Sequence, residues 1–345
     1  MTPQDSARLD VDRPTAVVVG ATFGAVYAEA LMSPSSPVSL VGVVGTGSQT
    51  SIDLAERWGI PLYTSIADVP PVDIAIVVVR SGIVGGSGSR LAADLLERGV
   101  NVLQEQPVHA DEMLDLLKTA ARHSVMYAVN DFYSSLAPVR QFVSATKVVA
   151  SKSPVEYVHA RCSLQVAYPM FTILADLVPA LAPARIDVPK STGGPFASGR
   201  LTLGAVPVDL LVQNELCASD PDNYAQLMHE VTVGTRAGEL ILTHTHGATH
   251  WRSQDRTVVD TPMSEIVGTD FDPTLSEVRH ELWPDGVRYA VAEFVQAIAQ
   301  RRRPLSQRFI RATRLWSEFT AALGPAELIE PTSPVHITAK ELTSP

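Results

Sequence analysis

Between Thr15 and Tyr133, short runs rich in Val and Ile alternate with amphipathic stretches, and this alternation restricts the fold more than any other feature of the chain. Runs that are apolar on both faces belong inside a sheet, and parallel strands need crossover helices between them. Ala16–Gly20, Val38–Gly45, Ile74–Arg80, Asn101–Glu105 and Met126–Asn130 are therefore read as parallel strands. Leu54–Trp58 and Leu91–Arg98 carry apolar residues at three-to-four spacing and are read as helices, with Gly59 and Gly99 as their stops.

After about Lys147 the pattern changes. Val155–Cys162, Leu201–Leu203, Leu210–Glu215, Met228–Thr235 and Glu239–His246 alternate apolar and polar residues, as expected of a half-exposed antiparallel sheet. Val287–Arg303 and Arg311–Leu323, separated by Pro304, are expected to be helical, and Ser191–Gly199 reads as a loop. At 345 residues the chain is long enough for two cores. The expectation is an α/β nucleotide-binding domain over residues 14–134, an α+β domain with a mostly antiparallel sheet over 135–330, and a tail over 331–345.

The first strand runs into Gly20-Ala21-Thr22-Phe23-Gly24-Ala25 and then a helical stretch through Leu31. A strand, a tight glycine turn and a helix make a Rossmann-type site, where backbone amides at the helix start receive a pyrophosphate. Gly20 and Ala25 fill the outer positions of the G-x-G-x-x-G/A pattern, but Thr22 takes the middle one. Alone, the segment also fits an ordinary strand-helix turn; the strand succession around it favours dinucleotide binding. No acidic residue ends the second strand, where a carboxylate would hold the adenosine ribose hydroxyls. Gly45, Thr46, Gly47, Ser48 and Ser51 stand there instead, so NADP(H) is predicted over NAD(H), the alternative being a solvated loop without a role. Arg80 and Ser81, the Gly85–Gly88 run, and Glu105-Gln106-Pro107-Val108-His109 follow later strands at the same sheet edge and are expected to face the nicotinamide.

The formal net charge of −10 disfavours nucleic-acid and membrane-surface partners. Two cysteines, Cys162 and Cys217, without metal-site spacing suggest a reducing cytoplasm, and neither a secretory signal nor a membrane span is apparent. His244, His246 and His250 share one short segment, but no nearby carboxylate or thiolate completes a zinc set, and Gly247 suggests a hairpin. Arg301-Arg302-Arg303 reads as a helix-end cap or, alternatively, as a docking patch for an acidic protein. Tyr168, Pro169 and Phe171, with Asp176 placed near the start of a helical run, suggest a segment lining the substrate pocket or, more plainly, core.

A Rossmann domain, a turn like E-K-P after the fifth strand and an antiparallel-sheet domain together resemble the glucose-fructose oxidoreductase and inositol dehydrogenase (Gfo/Idh/MocA) family. Within it, Val19–Gly24, Val78–Ser81, Gly85–Gly88, Leu103–His109 and Asn130-Asp131-Phe132-Tyr133 resemble the thiazolinyl imine reductases of siderophore assembly lines. The resemblance implies NADPH-dependent reduction of a thiazoline C=N bond on a substrate tethered to a nonribosomal peptide synthetase carrier protein. It also implies a homodimer, with Tyr133 as general acid. A phenol can donate a proton at neutral pH because its ordinary pKa is about 10. Sugar-dehydrogenase relatives carry lysine where this chain has Gln106, which can hydrogen-bond but cannot shuttle a proton. Gln106 is thus expected to orient substrate or nicotinamide, and His109 is a substitute donor or else a surface or capping residue. A sugar or polyol dehydrogenase, and a non-catalytic NADP-binding sensor, are the competing readings.

Overall fold

The computed structural model describes residues 13–79, 87–189, 193–217, 219, 228–255, 257, 260, 262–268, 270–330 and 335–343. Arg80, Ser81, Gly85 and Gly86 lie outside the described residues. The first sheet is built from β1 (Thr15–Val19), β2 (Ser39–Val44), β3 (Leu62–Tyr63), β4 (Ile74–Val77), β5 (Asn101–Glu105) and β6 (Tyr127–Asn130). Its order is β3-β2-β1-β4-β5-β6 with every pairing parallel. β4 and β6 are buried along their whole length, because helices cover both faces. Those helices are α1 (Gly24–Leu31), α2 (Gln49–Trp58), α3 (Ser87–Glu97) and α4 (Ala110–Arg122). α4 buries Met113, Leu116 and Ala120 at helical spacing and carries Asp111 and Glu112 in its first turn, where they complement the helix dipole. Strand order reverses between β1 and β4, which opens a crevice at their carboxyl ends.

The chain then passes through α5 (Ala137–Ala150) into β7 (Val155–Ser163), α6 (Ala167–Leu177), β8 (Ala184–Asp187), β9 (Phe196–Leu203), β10 (Val206–Gln213) and β11 (Glu215–Cys217). β12 (His229–Thr235), β13 (Gly238–Leu242), β14 (Thr249–Ser253) and β15 (Glu265–Ile266) follow. Eight of these strands form a sheet in the order β15-β14-β13-β12-β7-β10-β9-β8, antiparallel except where β7 meets β10. One face is core: Val158, Ala160 and Cys162 of β7 are buried, while His159 and Arg161 between them are exposed. The exposed face carries Arg161–Glu230 and Arg236–Glu156 ion pairs at 2.5 and 2.7 Å.

Against the core face lies α6, buried at every position but Asp176, and across it α8 (Gln307–Leu323), with α7 (Trp283–Ala299) preceding it. The α6–α8 contact stacks Phe171 on Phe319 at 5.4 Å and Tyr168 on Trp316 at 5.0 Å. α7 returns to the first sheet and packs on α1. A Cβ on its Gly286 would stand 2.7 Å from Leu136 Cδ2, so a larger residue there would have to push the Leu136 side chain aside. β16 (Glu327–Ile329) pairs with β11 in a separate two-stranded sheet.

Several boundaries differ from the sequence reading. β9 begins at Phe196, so Phe196–Gly199 of the expected loop is strand; it pairs with β10 along its full length, and Gly199 is covered by the Phe319 ring. The run from Glu239 stops at Leu242, because Thr243–Ala248 turns back to β14. Asp176 closes α6 instead of opening a helix. α7 ends at Ala299, four residues before the expected Arg303; Arg301 has φ +50°, and exposed Arg302 lies 3.7 Å from Glu293. Among the described residues no helix is long and apolar enough to cross a membrane.

Candidate active site

The crevice between β1 and β4 opens at Gly20. Its φ is +108°, and a Cβ there would sit 2.5 Å from the Val78 carbonyl oxygen, so the turn requires glycine. Phe23 stands at the N-cap of α1 without a side-chain cap bond, which leaves the helix start to other acceptors. At the end of β2, Thr46, Gly47 and Ser48 are exposed just before α2. Ser51 is buried under Gly45 with its hydroxyl 2.9 Å from that of Ser48, so it shapes this loop from below.

At the neighbouring strand ends, Glu105 is buried and accepts from the Tyr27 hydroxyl, while the Asn130 amide donates to Tyr27 Oη at 2.6 Å and to Glu105 Oε2 at 3.4 Å. Burial pushes the Glu105 carboxyl well above the ordinary carboxylate range, and the nearby Asp131 adds to it. Gln106 follows, its bond to Pro107 cis; Gln106 Oε1 is buried with no hydrogen-bond partner among the described residues. His109 stands at the N-cap of α4 but makes no side-chain cap bond. It faces α8 instead, with Nδ1 3.3 Å from Ser317 Oγ and its ring 5.1 Å from that of Trp316, leaving Nε2 buried and unpartnered among the described residues. The orphaned Gln106 Oε1, with the glycine-only turn at Gly20, fits a site shaped for a bound dinucleotide.

Tyr133 follows β6 on a backbone that its surroundings force. Phe132 has φ 55° and ψ −60°, a conformation costing on the order of 1–3 kcal/mol for a residue with a side chain. The Asn130 side-chain oxygen accepts from Phe132 N–H at 3.1 Å, and the Asp131 carboxylate accepts from the hydroxyls of Ser134, at 2.6 Å, and Thr172. The Phe132 ring is clamped at centroid distances of 5.1 Å by Phe23, 5.7 Å by Trp283 and 5.1 Å by Tyr133. Tyr133 is nearly buried; burial, and then the Glu105 charge, raise its phenol pKa, so it stays protonated through the neutral range.

The structure therefore gathers Gly20, Phe23, Glu105, Gln106 and Tyr133 along one sheet edge, and it sets His109 toward α8. Sequence reasoning missed Tyr27, Trp283 and His229. The signal for His229 was legible: a histidine on the buried register of β12, in step with Val231 and Val233. Trp283 had none, since its neighbours Phe23 and Phe132 are far away in the chain.

Residues 15–131 match the Gfo/Idh/MocA oxidoreductase family with its NAD-binding Rossmann fold, and residues 153–252 match the C-terminal domain of Irp3-like thiazolinyl imine reductases. No curated protein matches the chain by sequence. Among solved structures, an oxidoreductase from Agrobacterium radiobacter in complex with NAD+, L-tartaric acid and magnesium superposes with a TM-score of 0.70 at 10% identity, over 90% of this chain and 96% of that one. UDP-N-acetylglucosamine 3-dehydrogenase from Acidithiobacillus ferrooxidans gives 0.68 at 14% identity, over 90% and 97%. Biliverdin reductase from Synechocystis with biliverdin and NADP+ gives 0.64 at 13%, over 89% and 98%. At these identities the likeness establishes the shared fold.

Proposed function

The chain belongs to the Gfo/Idh/MocA oxidoreductase family and carries an Irp3-like C-terminal domain, and from that premise we propose that it uses NADPH to reduce the C=N bond of a thiazoline to a thiazolidine. The substrate remains tethered to a nonribosomal peptide synthetase carrier protein of a siderophore-like pathway. One observation carries this reading: a protonated, nearly buried phenol, Tyr133, stands at the carboxyl edge of the nucleotide-binding sheet, with Gln106 where a base would be needed to oxidise an alcohol.

Gly20, Ala21, Thr22, Phe23 and Gly24 would hold the pyrophosphate, Gly45, Thr46, Gly47 and Ser48 the ribose phosphate, and Gln106 the nicotinamide amide or substrate. Bound NADPH supplies the hydride for the imine carbon. As negative charge grows on nitrogen, Tyr133 Oη donates its proton there. Glu105, accepting from Tyr27 and Asn130, keeps both in place, and Asn130 in turn fixes the Phe132–Tyr133 turn. We place the domain boundary near residue 134 and assign homodimer formation to the exposed, charged face of the eight-stranded sheet; a sedimenting species of one chain mass would refute the dimer.

The test is dinucleotide oxidation against a substrate panel. A thioester-mimic thiazoline should consume NADPH in preference to NADH, and sugars or polyols should not reduce NADP+. Sugar-dependent NADP+ reduction would replace this reading with the polyol dehydrogenase, and binding without any turnover would replace it with a sensor.

A further inference from the structure

Thr243-His244-Thr245-His246-Gly247-Ala248 is conspicuous in the sequence and has no part in the chemistry described so far. It forms the turn between β13 and β14. Thr243 N–H and Oγ1 both donate to Ala248 O, at 3.3 and 3.1 Å, and Gly247 N–H donates to His244 O at 2.9 Å. A Cβ on Gly247 would stand 2.7 Å from Thr243 Oγ1, the hydroxyl that donates to Ala248 O, so a larger residue would have to displace it. Thr245 and His246 are buried, although the segment is a connection between strands.

Their side chains reach His229, whose ring meets that of Tyr133, and Trp283, which packs on Phe132 beside it. Thr245 Oγ1 lies 3.0 Å from Nδ1 of the fully buried His229, whose Nε2–H donates to Val166 O at 2.9 Å. A carbonyl only accepts, so Nε2 bears the proton, and Nδ1 accepts from the threonine. The His229 ring thus fixed meets the Tyr133 ring edge-on, centroids 5.2 Å apart at 70°. His246 Nε2 accepts from Trp283 Nε1–H at 3.1 Å, and Trp283 packs on Phe132, which meets Tyr133 at 90°. Both bonds require neutral imidazoles. Burial holds His229 down to about 4 and His246 down to about 3, so neither competes with the phenol as a proton donor near neutrality.

We propose that the Thr243–Ala248 turn is a clasp that positions Tyr133 by two routes, through Thr245 and His229 and through His246, Trp283 and Phe132. Thr245, His246 and His229 are positioning residues, and the inference rests on Tyr133 being the proton donor. Two core histidines that merely satisfy their hydrogen bonds would share the same contacts, so the test must separate orientation from stability.

Thr245→Val removes the hydroxyl at constant shape, and Thr245→Ser restores it. The valine variant should lose roughly ten- to a hundredfold in kcat, the scale of a small misplacement of a reacting group, with KM for NADPH unchanged and the serine variant recovering. In a Tyr133→Phe background the same change should cause no further loss. An equal loss in both backgrounds overturns the clasp. A readout independent of turnover is the 19F resonance of 3-fluorotyrosine placed at position 133. It should broaden or split with Thr245→Val and sharpen again with Thr245→Ser. Should Tyr133→Phe prove fully active, the proposed chemistry falls, while the clasp still stands or falls on that resonance: an unchanged signal in folded Thr245→Val overturns it.

Discussion

Tyr133→Phe should lower kcat for thiazoline reduction by about a hundred- to ten-thousandfold, the usual worth of a positioned general acid, while leaving the dinucleotide dissociation constant unchanged. The ring is held by Phe132 and His229 through its edges and faces, contacts that phenylalanine retains, so the variant should fold as the parent does. Single-turnover measurement with saturating NADPH isolates the chemical step. Full activity would remove Tyr133 from proton delivery and leave Gln106, which has no proton to spare, and His109, whose Nδ1 is engaged by Ser317, as the remaining named candidates.

Gly20→Ala should have the second large effect. Its Cβ would press against the Val78 carbonyl at 2.5 Å and hold an alanine at φ +108°, so folding stability should fall by about 3 kcal/mol. Because the displaced backbone is the proposed pyrophosphate cradle, dinucleotide affinity should fall at least about tenfold, or 1.4 kcal/mol. Gly59→Ala is the matched control: φ is +62° at the end of α2, and nothing lies within 4 Å of the added methyl. It should cost about 1 kcal/mol and leave affinity untouched. Denaturant melts and fluorescence titrations read both quantities. Unaltered binding by a folded Gly20→Ala protein would move the cofactor cradle elsewhere.

The first sheet was legible because its strands are buried on both faces and so spell themselves as apolar runs, as β4 does with Ile74-Ala75-Ile76-Val77. Strands that owe their existence to partners were not. β3 is two residues long, β14 contains Trp251 and Arg252 in place of a clean alternation, and Phe196–Gly199 looks like a loop until β10 and Phe319 cover it. At the site, the motif residues could be found by their spacing: Gly20 and Tyr133 follow strands, and the Glu105–His109 run begins on the last residue of one. What holds them could not. Tyr27 reaches Glu105 across 78 positions, and His109 meets Ser317 across 208, contacts that no local pattern encodes. The hairpin expected at Gly247 is the turn after β13, which ends at Leu242, and His246 Nε2 accepts from the Trp283 indole, a contact no local pattern encodes.

The path of α7 has a consequence for anyone transplanting this nucleotide-binding unit. Trp283 and the helix it begins complete the hydrophobic cover of α1 and the back of Phe23, although they are encoded some 250 positions downstream. A graft cut where the first sheet ends would carry a bare apolar seam beside its Gly20 turn and invite self-association. Shuffling the eight-stranded sheet among relatives therefore calls for exchanging the middle of the gene, with both ends inherited together.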